Sequence, residues 1–203
     1  MTTVELFIDY QNLHHSAHES FCRSDDDVRD CLIHPMKFAI EVLKKRTNET
    51  GQQGLSIQAV NLYRGMPNPR KEPRLASAAS KQHSAWGRYD PRIKVHTRSL
   101  RYPEEWPDAK AEEKGVDVLL AVQLAQAAIA KRADLFIVVT RDTDLIPAVE
   151  LARDVTPGCV EVATWYGQSK LRISGVKSLI LGDAAFRASR DTTKYWDDFT
   201  PSY

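Results

Sequence analysis

Three short segments, far apart in the chain, place carboxylates at the ends of apolar runs. VELFIDYQNL carries Asp9, EKGVDVLLAVQL carries Asp117, and DLFIVVTRDTDL carries Asp142 and Asp144. A carboxylate is costly to bury without a partner, so we expect these residues to meet at one acidic site on the surface. Clustered carboxylates repel one another, and a hard divalent cation such as Mg²⁺ relieves that repulsion. The first chemistry that such a site predicts is phosphoryl chemistry.

The elements that must position these carboxylates alternate between strand and helix patterns. The run that ends near Asp9 is typical of a strand, and the continuous apolar run 134–140 is typical of a strand buried on both faces. Residues 11–31 indicate a loop or a loose helix. Further strands are predicted over 55–65, 93–100 and 159–167, and helices over 34–46, 74–89, 116–132, 144–155 and 175–187. The helix over 116–132 is apolar on most sides, so we expect it to be buried.

This alternation predicts a three-layer α/β/α sandwich around a Rossmann-like, mainly parallel sheet. We expect the first and fourth strands to be neighbours where the strand order reverses, because ligands bind there at the carboxyl ends of the strands. That arrangement would bring Asp9, Asp117 and Asp142 to one edge. We assign one domain to residues 1–189 and a polar, mobile tail to residues 190–203.

The charge of the chain is unevenly distributed, although the net charge is only +1. Between Asn61 and Arg101, ten basic residues stand against two acidic ones, and aromatic residues lie among them, including Tyr63 and Trp86. Basic side chains contact phosphates, and unpaired bases stack on aromatic rings. The alternative is a solvated helical face. We predict RNA binding by eight of these residues: Arg64, Arg70, Lys71, Arg74, Lys81, Arg88, Arg98 and Arg101.

Cysteine content and hydropathy indicate the cellular environment that we expect for the protein. Cys22, Cys31 and Cys159 are too few for a disulfide framework, so we expect reduced thiols in a cytoplasmic protein. No signal-peptide pattern precedes the first strand, and no apolar run approaches the length of a membrane span. An exposed sheet edge would allow a homodimer.

The segments FIDYQNL, EKGVDVLLAVQL and VVTRDTDLIPAVELA together resemble the three signatures of the NYN domain, a branch of the PIN-like nuclease superfamily. The similarity extends from Val4 to about Arg187, in the expected order of elements. The resemblance implies a PIN-like fold and a Mg²⁺- or Mn²⁺-dependent ribonuclease. The resemblance also implies roles for seven residues. Asp9, Asp117 and Asp142 would be metal ligands, and Asp144 would be a further ligand or would lie in a second layer. Asn12 would hold a metal-bound water or a phosphate oxygen, Thr140 would orient carboxylates, and Lys114, one helical turn before Asp117, would contact the scissile phosphate.

The expected reaction is hydrolysis of an RNA phosphodiester by in-line attack of an activated water, which leaves a 5′-phosphate and a 3′-hydroxyl. Two other functions stay open. One is an RNA-binding or scaffolding module whose acidic pocket is idle. The other is a different phosphoryl-transfer enzyme, because a topoisomerase-primase type of site also uses a D-x-D after a strand. That site would need a glutamate where this chain has Asp9.

Several candidate residues also have simpler structural interpretations. Asp9 could cap a turn, Asp117 could complement a helix dipole, and Asp144 could be a helix N-cap. Asn12 could form a local turn. A nearby histidine cluster favours a solvated polar loop over a metal site, and it consists of His14, His15 and His18.

Overall fold

The computed structural model describes residues 1–196 and contains one six-stranded sheet in which every paired strand is parallel. The strands are β1 Thr2–Asp9, β2 Leu55–Met66, β3 Ile93–Ser99, β4 Leu135–Val139, β5 Val160–Trp165 and β6 Lys177–Leu181. The α-helices are α1 Tyr10–Phe21, α2 Pro35–Thr50, α3 Pro73–Tyr89, α4 Val116–Ile129, α5 Ile146–Val155 and α6 Asp183–Ser189. No helix in this described part is long and apolar enough to cross a membrane.

The strand order is β3-β2-β1-β4-β5-β6, so the order reverses between β1 and β4. These two strands pair in parallel, with Ile8 opposite Val139. The prediction that the first and fourth strands are neighbours is therefore confirmed, as is the three-layer α/β/α architecture. The carboxyl ends of β1 and β4 form the crevice in which ligands bind in open α/β sheets.

Two hydrophobic cores cover the faces of the sheet. One core joins the sheet to α1, α2, α3 and α6 through buried side chains such as Leu13, Phe38, Trp86 and Phe186. The other joins it to α4 and α5 through residues such as Leu120 and Val149. Every residue of β4 is buried, as the continuous apolar run predicts. Because both faces are covered, polar ligands can reach the sheet only at its edges and strand ends.

Two sequence-based expectations about these elements are wrong, namely those for the segment 175–187 and for the burial of the helix over 116–132. Of the two alternatives for residues 11–31, the structure shows a helix for much of the segment, because residues 10–21 form helix α1, which follows β1 without a connecting residue. The segment 175–187 contains strand β6 as well as a helix, because pairing with β5 decides the conformation of a short apolar run. Helix α4 is not buried all round, since Val118 and Ile129 are exposed. Within the predicted tail, Asp191 and Tyr195 are buried against the domain, and residues 197–203 lie outside the described residues.

Asp191 anchors that C-terminal segment to α3. Its side chain is 4% exposed, and its Oδ2 accepts hydrogen bonds from Trp86 Nε1 at 2.7 Å and from the Tyr195 hydroxyl at 2.8 Å. A buried carboxylate with two donors is well compensated. This part of the C-terminal segment therefore packs against α3, although its composition is polar.

Cys22 and Cys31 form a disulfide, contrary to the expectation of reduced thiols, whereas Cys159 is free. The bond joins the residue after α1 to the short 3-10 helix Val28–Cys31. The two cysteines are nine positions apart in the sequence, and residues 23–27 between them are exposed. The disulfide thus fixes the end of α1, the helix whose first residue follows Asp9.

Candidate active site

An open pocket of about 380 Å³ lies at the carboxyl ends of β1 and β4. Asp9 is the last residue of β1, Asp142 follows the end of β4, and Asp117 lies in the first turn of α4. The residues that line the acidic pocket are Asp9, Gln11, Asn12, His15, Glu19, Glu113, Asp117, Arg141 and Asp142. Three predicted carboxylates, which are more than 100 residues apart at the extremes, therefore share one site.

Asp9 is the most buried carboxylate of the acidic pocket, with 7% of its surface exposed. Its Oδ1 accepts a hydrogen bond from the backbone N–H of Asn12 at 3.0 Å and caps α1. Burial raises the pKa of Asp9 to about 7, and the Asn12 hydrogen bond opposes that rise. The charges of Asp117, Glu113 and Asp142 raise this pKa further. Capping and membership of the acidic pocket therefore coexist in one side chain.

Thr140 connects Asp9 with Asp142. Its hydroxyl donates to Asp9 Oδ2 across 3.5 Å and accepts a hydrogen bond from the Asp142 backbone N–H at 3.0 Å. Thr140 is buried directly after β4, so its hydroxyl is fixed between the two strand ends. This arrangement is the one that the orienting role predicted for Thr140 requires.

Asp144 lies outside the acidic pocket lining and is exposed. Its backbone N–H donates to Asp142 Oδ1 at 2.9 Å, so Asp142 is the cap of the short 3-10 helix Thr143–Leu145. Asp144 still acts at a distance. The pKa of Asp117 is raised mainly by burial, then by the charge of Asp142, and also by that of Asp144. Asp144 is thus an outer carboxylate of the cluster and not a helix N-cap.

Glu113 is a pocket carboxylate that the sequence interpretation missed. Its Oε1 accepts a hydrogen bond from the Gly65 backbone N–H at 2.6 Å. The Gln11 amide, with its nitrogen turned toward Glu113, donates to both carboxylate oxygens at 2.9 Å. Burial is the main cause of the raised pKa of Glu113. The only signal in the sequence was its place in the EKGVD segment, which was interpreted through Lys114 and Asp117.

Gly65 permits this approach because it has no side chain. A Cβ at this position would lie 2.3 Å from Leu100 Cδ2 and 2.8 Å from Glu113 Cγ. The segment before α4 therefore packs directly against the backbone of β2. This contact brings Glu113 to the acidic pocket.

Lys114 does not line the acidic pocket, and its side chain is exposed. The prediction counted one helical turn from Lys114 to Asp117, but α4 begins only at Val116. Gly115 precedes it with a φ of 77°, so the backbone changes direction between the two residues. Helical spacing therefore does not relate Lys114 to Asp117.

Asn12 and Arg141 form one wall of the acidic pocket. Asn12 Oδ1 accepts a hydrogen bond from the Arg141 backbone N–H at 3.2 Å. The Arg141 guanidinium donates to Glu19 Oε2 at 2.8 Å and also contacts Gln168. Asn12 therefore ties α1 to the chain that follows β4. The cation of Arg141 lies beside the carboxylates and is partly neutralised by Glu19.

The basic segment Asn61–Arg101 is not uniform in its exposure. Seven of the eight predicted RNA-binding residues are exposed, and they are Arg70, Lys71, Arg74, Lys81, Arg88, Arg98 and Arg101. Arg64 is half-buried instead. The Lys71 ammonium lies 4.6 Å from the centre of the Tyr102 ring. Tyr63 and Trp86 are fully buried, so the expectation that they stack on bases is wrong.

The histidines lie on α1 and not in a solvated loop. The His14 ring is 2.8 Å from the Val28 carbonyl oxygen, and burial lowers its pKa to about 4. His15 faces the acidic pocket, and burial is again the main reason that its pKa is lowered. His18 Nε2 lies 3.0 Å from the Asp26 carbonyl oxygen.

The donor set of the acidic pocket fits a hydrated hard cation. It includes Asp9, Glu113 and Asp117, whose pKa values are raised by burial and by neighbouring carboxylates, and a bound cation would oppose that rise. Within residues 1–196, the single trio of possible ligand atoms within 4.8 Å of one another is that of Cys22, Asp26 and Cys31, whose sulfurs are bonded together. The pocket carboxylates of this described part do not form such a trio, so a cation there would take part of its coordination from water, as Mg²⁺ commonly does.

The comparisons with known proteins agree with this geometry. The NYN domain family model matches residues 3–170. A crystal structure of a protein of unknown function from Vibrio parahaemolyticus RIMD 2210633 has a similar fold, with a TM-score of 0.54, 12% sequence identity, and 90% of this chain and 93% of that chain covered. Among curated proteins, no sequence matches the chain. The family model spans β1 to the loop after β5, and the acidic pocket lies where the strand order reverses. This chain therefore belongs to the NYN domain family, which has a PIN-like nuclease type of fold.

Proposed function

We propose that this protein is a metal-dependent ribonuclease that hydrolyses RNA phosphodiester bonds at the acidic pocket. The observation that carries the proposal is the convergence of Asp9, Asp117 and Asp142, from three distant segments, at the ends of β1 and β4. Nucleases of this family type generally depend on divalent metal ions. Crowded carboxylates with raised pKa values are unfavourable in the folded state and are common at functional sites.

Asp9, Asp117 and Asp142 would hold the cation, Mg²⁺ or Mn²⁺, with Glu113 as a further carboxylate at the boundary of the acidic pocket. When bound, the cation supplies Lewis-acid stabilisation at phosphorus and lowers the pKa of water. Thr140 orients the carboxylate of Asp9 through its hydroxyl and holds the backbone of Asp142, whose N–H donates to that hydroxyl. Arg141 offers a positive charge to the phosphate, and the exposed basic residues contact the RNA backbone.

The test is cleavage of single-stranded and structured RNA by purified protein in Mg²⁺, in Mn²⁺ and in EDTA. We expect cleavage in the metals and none in EDTA. Asp142→Asn should lower the rate at least about a hundredfold, because outer-layer partners of metal ligands already cost 10- to 100-fold. The matched control is Asp154→Asn, an exposed carboxylate on α5 outside the acidic pocket.

Cleavage that survives Asp142→Asn or EDTA would contradict the proposal. RNA binding without cleavage by the wild-type protein in either metal would favour the alternative, a catalytically idle RNA-binding module on the same fold. Equal loss of activity in Asp142→Asn and in Asp154→Asn would point to a general effect of charge rather than to the acidic pocket.

A further inference from the structure

A second cleft, of about 260 Å³, adjoins the acidic pocket. Gln11, His15 and Glu113 line both, so the two cavities share a wall. We name the second cavity the Arg64 cleft. Its lining includes apolar side chains such as Leu75, Ala78 and Leu100, together with the charged side chains of Arg29, Arg64 and Glu113. Its volume is slightly below the range of about 300–1,000 Å³ that is usual for drug-sized ligands. The Arg64 cleft thus suits one flat, mainly apolar group beside the acidic pocket.

Gln82 is the buried polar side chain of the Arg64 cleft, with 4% of its surface exposed. Its Oε1 accepts a hydrogen bond from Arg64 Nη1 at 2.7 Å. Its Nε2 is buried and has no hydrogen-bond partner within residues 1–196. Buried donors are nearly always paired. This N–H has almost no accessible surface, so a ligand acceptor would complete the pairing after a small movement of the Gln82 side chain in the wall of the cleft.

Arg64 adds further donors to the same wall. Its guanidinium carbon lies 5.0 Å from the centre of the Tyr10 ring. Gln82 accepts the hydrogen bond that this guanidinium donates within the described residues. Burial lowers the pKa of Arg64, whereas the charges of Tyr10 and Glu113 oppose that shift, so the guanidinium is only partly compensated. Arg64 and Gln82 therefore present donors, while the one acceptor of Gln82 is already used.

A ligand for the Arg64 cleft must then have flat apolar faces and adjacent acceptors on one edge. Guanine has O6 and N7 side by side on an edge without a donor, and arginine pairs with these two atoms. Adenine places an amino group beside N7. Cytosine and uracil place an N–H donor on the edge that carries their acceptors. A phosphate would meet the donors but would leave the apolar walls facing an anion.

We propose that the Arg64 cleft binds a guanine base of the RNA, next to the bond that the acidic pocket cleaves. The inference rests on the proposed function in taking RNA as the ligand. Gln82 and Arg64 would donate to the guanine, and Leu75, Ala78 and Leu100 would cover its faces. Because the two cavities share a wall, the bound base would lie next to the carboxylates of the acidic pocket. The cleft would therefore determine which phosphodiester bond is cleaved.

The experiment measures binding in EDTA, so that it does not depend on cleavage. Full-length protein is titrated into fluorescent ten-nucleotide oligoadenylates that carry one central guanosine, cytidine or uridine, or no substitution. We expect about tenfold tighter binding of the guanosine oligomer, the range of one good bidentate contact. Replacement by 7-deazaguanosine, which lacks N7, should remove most of this preference. Equal affinity for all four oligomers would overturn the proposal.

Two variants assign the preference to the Arg64 cleft. Gln82→Leu removes the amide donor, and Gln82→Glu replaces it with an acceptor that pairs with Arg64. Either should reduce the guanosine preference, which is the ratio of the affinities for the guanosine oligomer and for oligoadenylate in the same variant, to about twofold or less. Ser84→Ala, an exposed change on α3, is the control and should keep the preference. A uniform loss of affinity for every oligomer would indicate a phosphate contact and would also overturn the proposal.

The proposed function and this inference can fail separately. Guanosine preference without cleavage in any metal would leave the base site standing and remove the nuclease. Cleavage without guanosine preference in binding or in cut position would do the reverse. If the Gln82 variants do not fold, the 7-deazaguanosine comparison on the wild-type protein still decides.

Discussion

The acidic pocket and the Arg64 cleft share Gln11, His15 and Glu113 in their walls. Burial nevertheless shifts the pKa of a charged group in opposite directions in the two cavities. In the acidic pocket, burial raises the pKa of Asp9 to about 7. In the Arg64 cleft, burial lowers the pKa of Arg64. Desolvation disfavours any charge, so both shifts have one cause. The comparison teaches that burial disfavours the charge of a carboxylate in one cavity and of a guanidinium in the other, so the first calls for a cation and the second for hydrogen-bond acceptors.

The largest effect should come from Asp117→Asn, which changes the acidic pocket and leaves the Arg64 cleft intact. We expect cleavage to fall at least about a hundredfold, because the variant removes a carboxylate from the cation-binding set. The guanosine preference in EDTA should remain within about twofold of wild type. Measured together, single-turnover cleavage and oligonucleotide binding check whether the two cavities act separately. Loss of the preference as well would break the comparison.

The next effect concerns stability and pH. The folded-state pKa of Asp9 is about 7, against an ordinary value of 3.8, so the folded protein holds this proton more tightly than the unfolded chain. Stability from this group is therefore complete below about pH 4 and is lost as the pH rises to about 7. In EDTA at pH 8, Asp9→Asn should be more stable than wild type by about 2–4 kcal/mol. Urea unfolding across pH 4–8 measures the gap.

A control for that measurement is Asp154→Asn, an exposed change that should follow the wild-type curve. The gap between Asp9→Asn and wild type should narrow as the pH falls from 7 toward 4. Added Mg²⁺ or Mn²⁺ should stabilise the wild-type protein more than Asp9→Asn, because only the carboxylate gains a cation. A gap that is independent of pH would show that the charge of Asp9 is not its source.

A smaller effect is expected at the wall between the two cavities. Gly65→Ala places a Cβ 2.3 Å from Leu100 Cδ2 and 2.8 Å from Glu113 Cγ. We expect a loss of about 1–3 kcal/mol in unfolding free energy, as for other overpacked sites. Both cleavage and guanosine preference should fall, because Glu113 and Leu100 must move. Thermal unfolding and the two activity assays check this.

Gly87→Ala is the matched control for Gly65→Ala. A Cβ at Gly87 meets open space within α3, so the change should raise the unfolding free energy by about 0.5–1 kcal/mol. Equal behaviour of the two alanine variants would contradict the close packing of the wall.

The smallest effect should come from the basic surface outside both cavities. Arg70→Ala removes one exposed charge from the predicted RNA-binding set. We expect a few-fold loss of affinity that is the same for every oligomer, and a salt dependence of binding reduced by about one unit of slope. Titrations at several salt concentrations measure both quantities. A base-dependent effect of Arg70→Ala would place base recognition outside the Arg64 cleft.

Much of the fold and the inner acidic cluster could be predicted from sequence, because parallel strands bring their carboxyl ends to one edge. The buried run of β4 and the run before Asp9 were enough to place Asp9 beside Asp142. Asp117 followed from its position at the start of α4. These predictions depend on periodicity and topology, which a single chain records.

Glu113 and Gln82 could not be predicted in the same way, because packing between distant segments places them. Glu113 reaches the acidic pocket through the backbone of Gly65, 48 residues away. Gln82 lies on a helix of ordinary composition, and its role depends on Arg64 from the neighbouring strand. The error at Lys114 is local, since a left-handed Gly115 interrupts the assumed helix. The local sequence pattern therefore predicts which residues lie at the strand ends, but it does not predict the residues that distant segments bring into the walls of the two cavities.

The direct junction of β1 and α1 limits how the length of this chain can vary. Asp9 ends the strand and Tyr10 begins the helix, with no residue between them. One inserted residue would rotate α1 by about 100° relative to the sheet and would carry His15 and Glu19 away from the acidic pocket. The exposed stretch 23–27 has no such constraint. We therefore expect related chains to accept insertions and deletions in that stretch and to keep the length of the junction fixed.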